Sequence, residues 1–299
     1  MNPLLEIDTT KIVYWGCGTR RPWHLAGIGA GREGVALGEG MSGHMFPPVS
    51  LLTSAGARQD GATFLRSVRH QRELDFIVHI GGDTLPMQFD SPRDFFAVHD
   101  AWWRDWSTDI PGVLGVFTRY QGWRFYRVQL DGDPEPLTGI DPAANLHEAY
   151  RVSAVAMDPL AQHFDEVSAW VNGLGLNEGV LRLRNAADQP AWPRYTMNGP
   201  GRWWIQDPVD TDGLRVVQTP LIGDGETLRI DTHPRRRTAR VYSDTAPGGR
   251  NVWGQLAGRR WLASLPPWSS TDIVVRCSDG ATTAAAITAA VTPRSSRPF

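Results

Sequence analysis

From residue 160 onward the chain is cut every few residues by a turn signal. Asn198-Gly199-Pro200-Gly201, Asp212-Gly213, Gly223-Asp224-Gly225, Pro247-Gly248-Gly249 and Asp279-Gly280 separate short β-rich segments. The segments run over 179–185, 193–198, 202–206, 214–219, 226–231, 237–242, 260–264, 272–277 and 282–291. Many short strands at this spacing predict an antiparallel β-sandwich. Asp279-Gly280 suits a tight hairpin, because glycine accepts a positive φ.

The first half reads differently. Residues 11–15 (KIVYW) and 74–80 (LDFIVHI) are strand-like, the second followed by Gly81-Gly82. Residues 113–118 and 123–130 flank Tyr120-Gln121-Gly122 and predict a hairpin. Residues 150–157 alternate with period two and stop at Asp158-Pro159. Between them, 91–106 predicts a helix. Ser91 suits the N-cap, Pro92 the first helical position and Asp94 the first turn. Phe95, Phe96, Val98, Trp102, Trp103 and Trp106 form its apolar face. Large aromatics at helical spacing bury in a core more readily than they line a ligand box. The chain therefore reads as mainly β: an α+β domain over 1–159, a sandwich over 160–293 and a short tail over 294–299.

A chain of 299 residues is ample for a sizeable core. Its formal net charge of −2 argues against a dedicated nucleic-acid binder. Lys11 is the only lysine, so the other 29 of the 30 basic residues are arginine, as a GC-rich genome would encode. Cys17 and Cys277 lie far apart and build neither a zinc motif nor a disulfide framework. No apolar run reaches the roughly 18 residues of a membrane span. The N-terminus MNPLLEIDTT has no basic region before an apolar one, so synthesis and folding in the cytoplasm are expected.

Motifs for chemistry are weak. The eight histidines, at 24, 44, 70, 79, 99, 147, 163 and 233, form no HExxH and no metal-ligand spacing. The hydrolase motif GxSxG does not occur. Gly29 to Gly34 fits GxGxxG, but no apolar strand precedes it and no helical period follows, so it reads as a loop. Two carboxylates would suffice for a glycosidase, yet sequence does not give their separation. Thirteen tryptophans permit a sugar-stacking face, with core packing the simpler reading. No catalytic residue, metal ligand or cofactor-binding residue is assigned.

Residues 195–244 contain Asn198-Gly199-Pro200, then Gly225 to Thr232 (GETLRIDT), then Pro234-Arg235; Trp261 with Leu265-Pro266 follows. Upstream lie Gly31 to Val35, then Arg66, Arg69 and Arg72, and the closing Asp158-Pro159. This set resembles siphophage distal tail proteins, especially the minor tail proteins of phages of actinobacteria. One departure is Pro266-Pro267-Trp268-Ser269, where that family usually has Pro-Gly-x-Asn. The resemblance implies a structural protein of the virion tail tip, not an enzyme and without a cofactor. It implies an N-terminal domain that closes a hexameric ring and a galectin-like C-terminal sandwich. The implied partners are other copies of the chain, the tail tube protein and the tail-tip hub, with the tape measure and receptor-binding proteins as further candidates. No membrane and no specific nucleic acid are implied.

Within that reading, Arg66, Arg69 and Arg72 are candidates for one side of the subunit interface, with Asp131, Asp133 and Glu135 for the other. Arginine suits such contacts, since its planar fork bonds carboxylates bidentately. Arg235, Arg236 and Arg237 are expected on an exposed hairpin, because His233-Pro234 turns the chain between two strands. The competing readings are a carbohydrate-binding module and a glycan-cleaving enzyme.

Overall fold

The computed structural model describes residues 9–83, 85–208 and 215–299. The chain divides into two compact units, one of residues up to Gln162 with Ser295–Phe299, the other His163–Arg294. The expected cut at Asp158-Pro159 falls a few residues early. The last five residues, expected as a tail, belong to the first unit.

The first unit is a sheet with a helix. Its strands are β1 (Lys11–Trp15), β2 (Pro22–Ala26), β3 (Val35–Leu37), β4 (Val49–Ser54), β5 (Thr63–Arg69), β6 (Arg72–Gly81), β7 (Gly112–Thr118), β8 (Gly122–Leu130), β9 (Glu135–Pro136), β10 (His147–Ala156) and β11 (Ala161–Gln162). The main sheet runs β2-β1-β7-β8-β10-β6-β3, and the pairs along it are antiparallel. β7 and β8 form the expected hairpin, closed where Thr118 faces Gly122.

Helix α1 (Pro92–Arg104) starts as expected: the Ser91 side chain accepts from Asp94 N, and Pro92 opens the first turn. Phe95, Val98 and Trp102 turn inward. Trp102 meets Trp23 edge-on at 5.3 Å, and Trp106 stacks on Tyr14 at 4.1 Å. Asp105 caps the helix C-terminus and is buried. Its carboxylate accepts from Trp23 Nε1 at 2.8 Å and from Thr19 N at 3.1 Å. Gly16 is required beside it, because a Cβ there would lie 2.1 Å from Asp105 Cγ.

Arg72 occupies the other critical position. It is fully buried and forms no ion pair with any described carboxylate. Its Nε donates to Pro159 O at 2.9 Å. Nη1 donates to Gly43 O at 2.9 Å and His44 O at 2.7 Å, and Nη2 to Ser296 O at 2.7 Å. The guanidinium lies 4.9 Å over the Tyr126 ring. Burial pushes its pKa below the ordinary arginine value. Four carbonyl acceptors and an aromatic face replace the water that the cation loses.

The second unit is the expected sandwich. Its strands are β12 (Glu166–Val171), β13 (Glu178–Asn185), β14 (Arg194–Asn198), β15 (Arg202–Gln206), β16 (Val216–Gln218), β17 (Thr227–Asp231), β18 (Thr238–Ser243), β19 (Ala246–Asn251), β20 (Ser269–Ser278) and β21 (Ala286–Val291). One sheet runs β12-β21-β14-β17-β18-β19 and the other β13-β20-β15-β16. Tyr195, Met197, Trp203, Ile205, Leu228, Ile230, Ile273, Val275 and Ile287 are buried members of one core drawn from both. Alternation is strict on β14, β17, β18 and β21, so one face of each is core and the other is open.

Three expectations fail here. Asp279 and Gly280 do have positive φ, 56° and 90°, but the chain then crosses from β20 in one sheet to β21 in the other, so no hairpin forms. Pro247-Gly248-Gly249 lies within β19 instead of forming a turn. Residues 260–264 are not a strand: Leu262 N and Ala263 N donate to the Asp207 carboxylate at 2.9 and 3.1 Å, which replaces a ladder partner. The Asp212-Gly213 signal lies outside the described residues.

Two outcomes follow. Arg72→Met should destabilise the first unit by about 3 kcal/mol or more, since it leaves several buried carbonyls without donors; chemical denaturation followed by tryptophan fluorescence measures this. A fragment of residues 163–294 should be soluble and unfold in one cooperative transition by circular dichroism, because its core is complete within those bounds.

Candidate assembly surfaces

β4 and β5 pair only with each other, as a two-stranded ribbon off the main sheet. Every residue of β4 is exposed, and in β5 only Val68 is partly covered. Leu51, Phe64 and Leu65 are 64%, 59% and 60% exposed, and Met45 and Phe46 before the ribbon are exposed too. A two-stranded hairpin alone is marginal in water. An apolar patch of this kind on a folded chain marks an interaction surface.

Arg66 and Arg69 lie on this ribbon, both exposed, with Arg66 opposite Leu52 and Arg69 opposite Val49. The segment from Arg66 to Ile80 spans two strands, β5 and β6. It breaks at His70-Gln71, where His70 N donates to Pro48 O at 2.9 Å. Arg72 thus falls beyond the ribbon and inside the unit. Its bonded, buried guanidinium has nothing left to offer a neighbouring subunit, which corrects its expected place at the interface.

The acidic side of the expected match is also split. Asp131 and Asp133 are exposed in the loop after β8. Glu135, on β9, accepts from Arg151 Nη1 at 2.9 Å within its own unit. Beside them Leu137 and Ile140 are exposed, so this loop is both acidic and apolar.

The tryptophans divide by location. Trp23, Trp102, Trp203 and Trp261 are fully buried. Trp15 and Trp123 are partly covered on the outer face of the first sheet, with Phe117 and Phe125. Trp15 and Phe125 border an open cleft of about 460 Å³ that Cys17, Arg20, Ile110 and Arg127 also line.

In the second unit, β17 and β18 are joined by a turn in which Arg236 N donates to His233 O at 2.9 Å. Arg235 and Arg236 are exposed on it, and Arg237 is half-buried. Burial, then the cations of Arg236, Arg294 and Arg235, hold the His233 imidazole below the usual histidine range. Among the described residues no group of three or more His, Cys, Asp or Glu could hold a metal ion, and no helix is long and apolar enough to cross a membrane.

β4 and β5 were missed in sequence. Their signal was present as Leu51-Leu52 and Phe64-Leu65 around Gly56 and Gly61, but neither pair alternates with a buried partner.

The fold, a helix-backed antiparallel sheet followed by a two-sheet sandwich, is shared along nearly the whole chain with solved proteins of phage adsorption apparatus and baseplates. The solved SPP1 Dit (gp 19.1) protein, described as a paradigm of the hub adsorption apparatus in phages infecting Gram-positive bacteria, matches with a TM-score of 0.63 at 10% identity. The match covers 96% of this chain and 99% of that one. A chain of the phage P2 baseplate, in its activated conformation with Ca, matches with a TM-score of 0.53 at 8% identity, covering 97% and 99%. In sequence the chain is similar to minor tail protein Gp27 of Mycobacterium phage L5, 24% identical over 291 residues and covering 80% of this chain and 84% of that one. No family model matches.

The turn arginines are predicted to be dispensable for folding. Replacing Arg235 and Arg236 with Ser should move the thermal midpoint of the full chain little, since exposed charges contribute within about 0.5 kcal/mol each. A fall of many degrees in a calorimetric scan would contradict this.

Proposed function

We propose that this chain is a structural subunit of a siphophage tail tip, a distal tail protein that joins the tail tube to the tip hub. The observation that carries the reading is the end-to-end fold match to SPP1 Dit, which spans both units and not the sandwich alone. The sequence similarity to a mycobacteriophage minor tail protein is independent support. The role is mechanical and calls for no catalytic centre.

In this role the subunits assemble as a closed ring, six copies as the family resemblance implies. Closed cyclic assembly needs two different surfaces that fit head to tail. The ribbon supplies one, basic and apolar, through Leu51, Phe64, Leu65, Arg66 and Arg69. The loop after β8 supplies a complement, acidic and apolar, through Asp131, Asp133, Leu137 and Ile140. Copies of the chain, the tail tube protein and the hub are the partners in this role, with the tape measure and receptor-binding proteins beyond them.

Light scattering on the purified chain should then give a mass several times 33.1 kDa, or reach it only when tube or hub protein is added. Arg66→Glu with Arg69→Glu, and separately Leu51→Asp with Leu65→Asp, should each leave a folded monomer that forms no rings in electron micrographs. Rings in both variants would place the contact elsewhere.

A further inference from the structure

We propose that the open face of the six-stranded sheet is a binding site for an acidic glycan, one whose sugar or polyol units carry a carboxylate or a phosphodiester. Besides the turn arginines, β17 and β18 carry Arg229 and Arg240, which the tail-tip role does not use. The register shows why they matter. Arg229 on β17 stands directly opposite Arg240 on β18. Both are exposed, and alternation places both on the open face, with Leu228, Ile230, Ala239 and Val241 on the core side. Like charges directly opposite on neighbouring strands destabilise a sheet. Neither guanidinium has an ion-pair partner among the described residues. Arg229 lies 4.8 Å over the Tyr242 ring, and Arg240 Nη1 donates to Gly248 O at 2.8 Å. Each is thus held in place while its charge goes unmatched.

The surroundings specify the ligand further. The row continues from Arg229 to Thr196 on β14 and Thr288 on β21. The next row is Ala290, Arg194, Asp231 and Thr238. These side chains line a cleft of about 320 Å³, the lower end of the range for small-ligand sites. Arg194 is matched there, by Asp165 at 2.6 Å, and the Asp231 carboxylate accepts from His233 N at 2.9 Å. An isolated anion meets two cations at one end of the cleft. Threonine hydroxyls and carboxylates, which pair with sugar hydroxyls, occupy the rest. The threonine hydroxyls and the two carboxylates match the dense hydroxyls of a sugar or polyol, which a single-stranded nucleic acid or an acidic peptide offers more sparsely. All residues of this cleft belong to the second unit, whereas the proposed ring surfaces belong to the first.

Calorimetric titration of the full chain with tetragalacturonate and with a glycerol-phosphate oligomer tests this and separates the two sources of the anion. Saturable binding of at least one is expected at millimolar concentration or below, with none for neutral maltotetraose. Arg229→Gln with Arg240→Gln should weaken it at least tenfold, and Thr196→Trp, which fills the cleft without changing charge, should do the same. Arg235→Ser with Arg236→Ser should change it less than threefold. Circular dichroism of each variant checks the fold, and light scattering shows whether binding and ring formation fail separately. The proposal is overturned if neither acidic glycan binds, or if both cleft variants bind like the parent. It is also overturned if hexaglutamate or a single-stranded oligonucleotide binds more tightly than either glycan.

Discussion

One buried guanidinium, with carbonyl oxygens in place of a carboxylate, holds the first unit to its chain path. The carbonyls that Arg72 binds belong to Gly43 and His44 in a loop, to Pro159 just before the chain leaves the unit, and to Ser296 just after it returns. A buried cation is costly unless its donors are satisfied. Here the donors and acceptors are each other's solution: strand ends and loops expose carbonyls that no ladder uses, and the fork of arginine reaches several at once. The exit and re-entry of the second unit are therefore tied to one side chain. That arrangement explains how a unit of 163–294 can sit within the sequence of another without a flexible tail.

The two units solve the burial problem in different ways. The first covers one side of its sheet with an aromatic cluster built on α1, in which Trp102, Trp106, Trp23 and Tyr14 meet edge-on or stacked. The second closes sheet on sheet, so its outer strand faces are free for polar chemistry. The ribbon of β4 and β5 takes part in neither core. Among the described residues its apolar side chains join no core, and in the proposed role assembly covers them.

The same distinction connects local sequence to role. Residue 66 and residue 72 are both arginine in one basic stretch, yet one is exposed on a ribbon and the other is sealed in the interior. Only the strand break at His70-Gln71 separates their fates. Likewise Asp131 is open to a partner, while Glu135, four residues on, is matched to Arg151 across a strand pair. Composition and spacing do not distinguish such neighbours; the pairing of strands does.

The sequence alone determined the helix, the central hairpin and the sandwich. Capping at Ser91, the turn at Tyr120-Gln121-Gly122 and period-two alternation in β14, β17 and β18 are local signals, set by backbone geometry over a few residues. What tertiary structure decided depends on contacts between residues far apart in the chain. Asp207 holds residues 262 and 263 away from any strand. The crossing after Gly280 carries the chain between sheets although the dipeptide has hairpin geometry. Arg72 is buried because carbonyls from four separate positions converge on it, and Arg229 faces Arg240 only because two strands pair in one register. Local propensity is additive along the chain, whereas convergence of this kind exists only once the fold has brought the groups together.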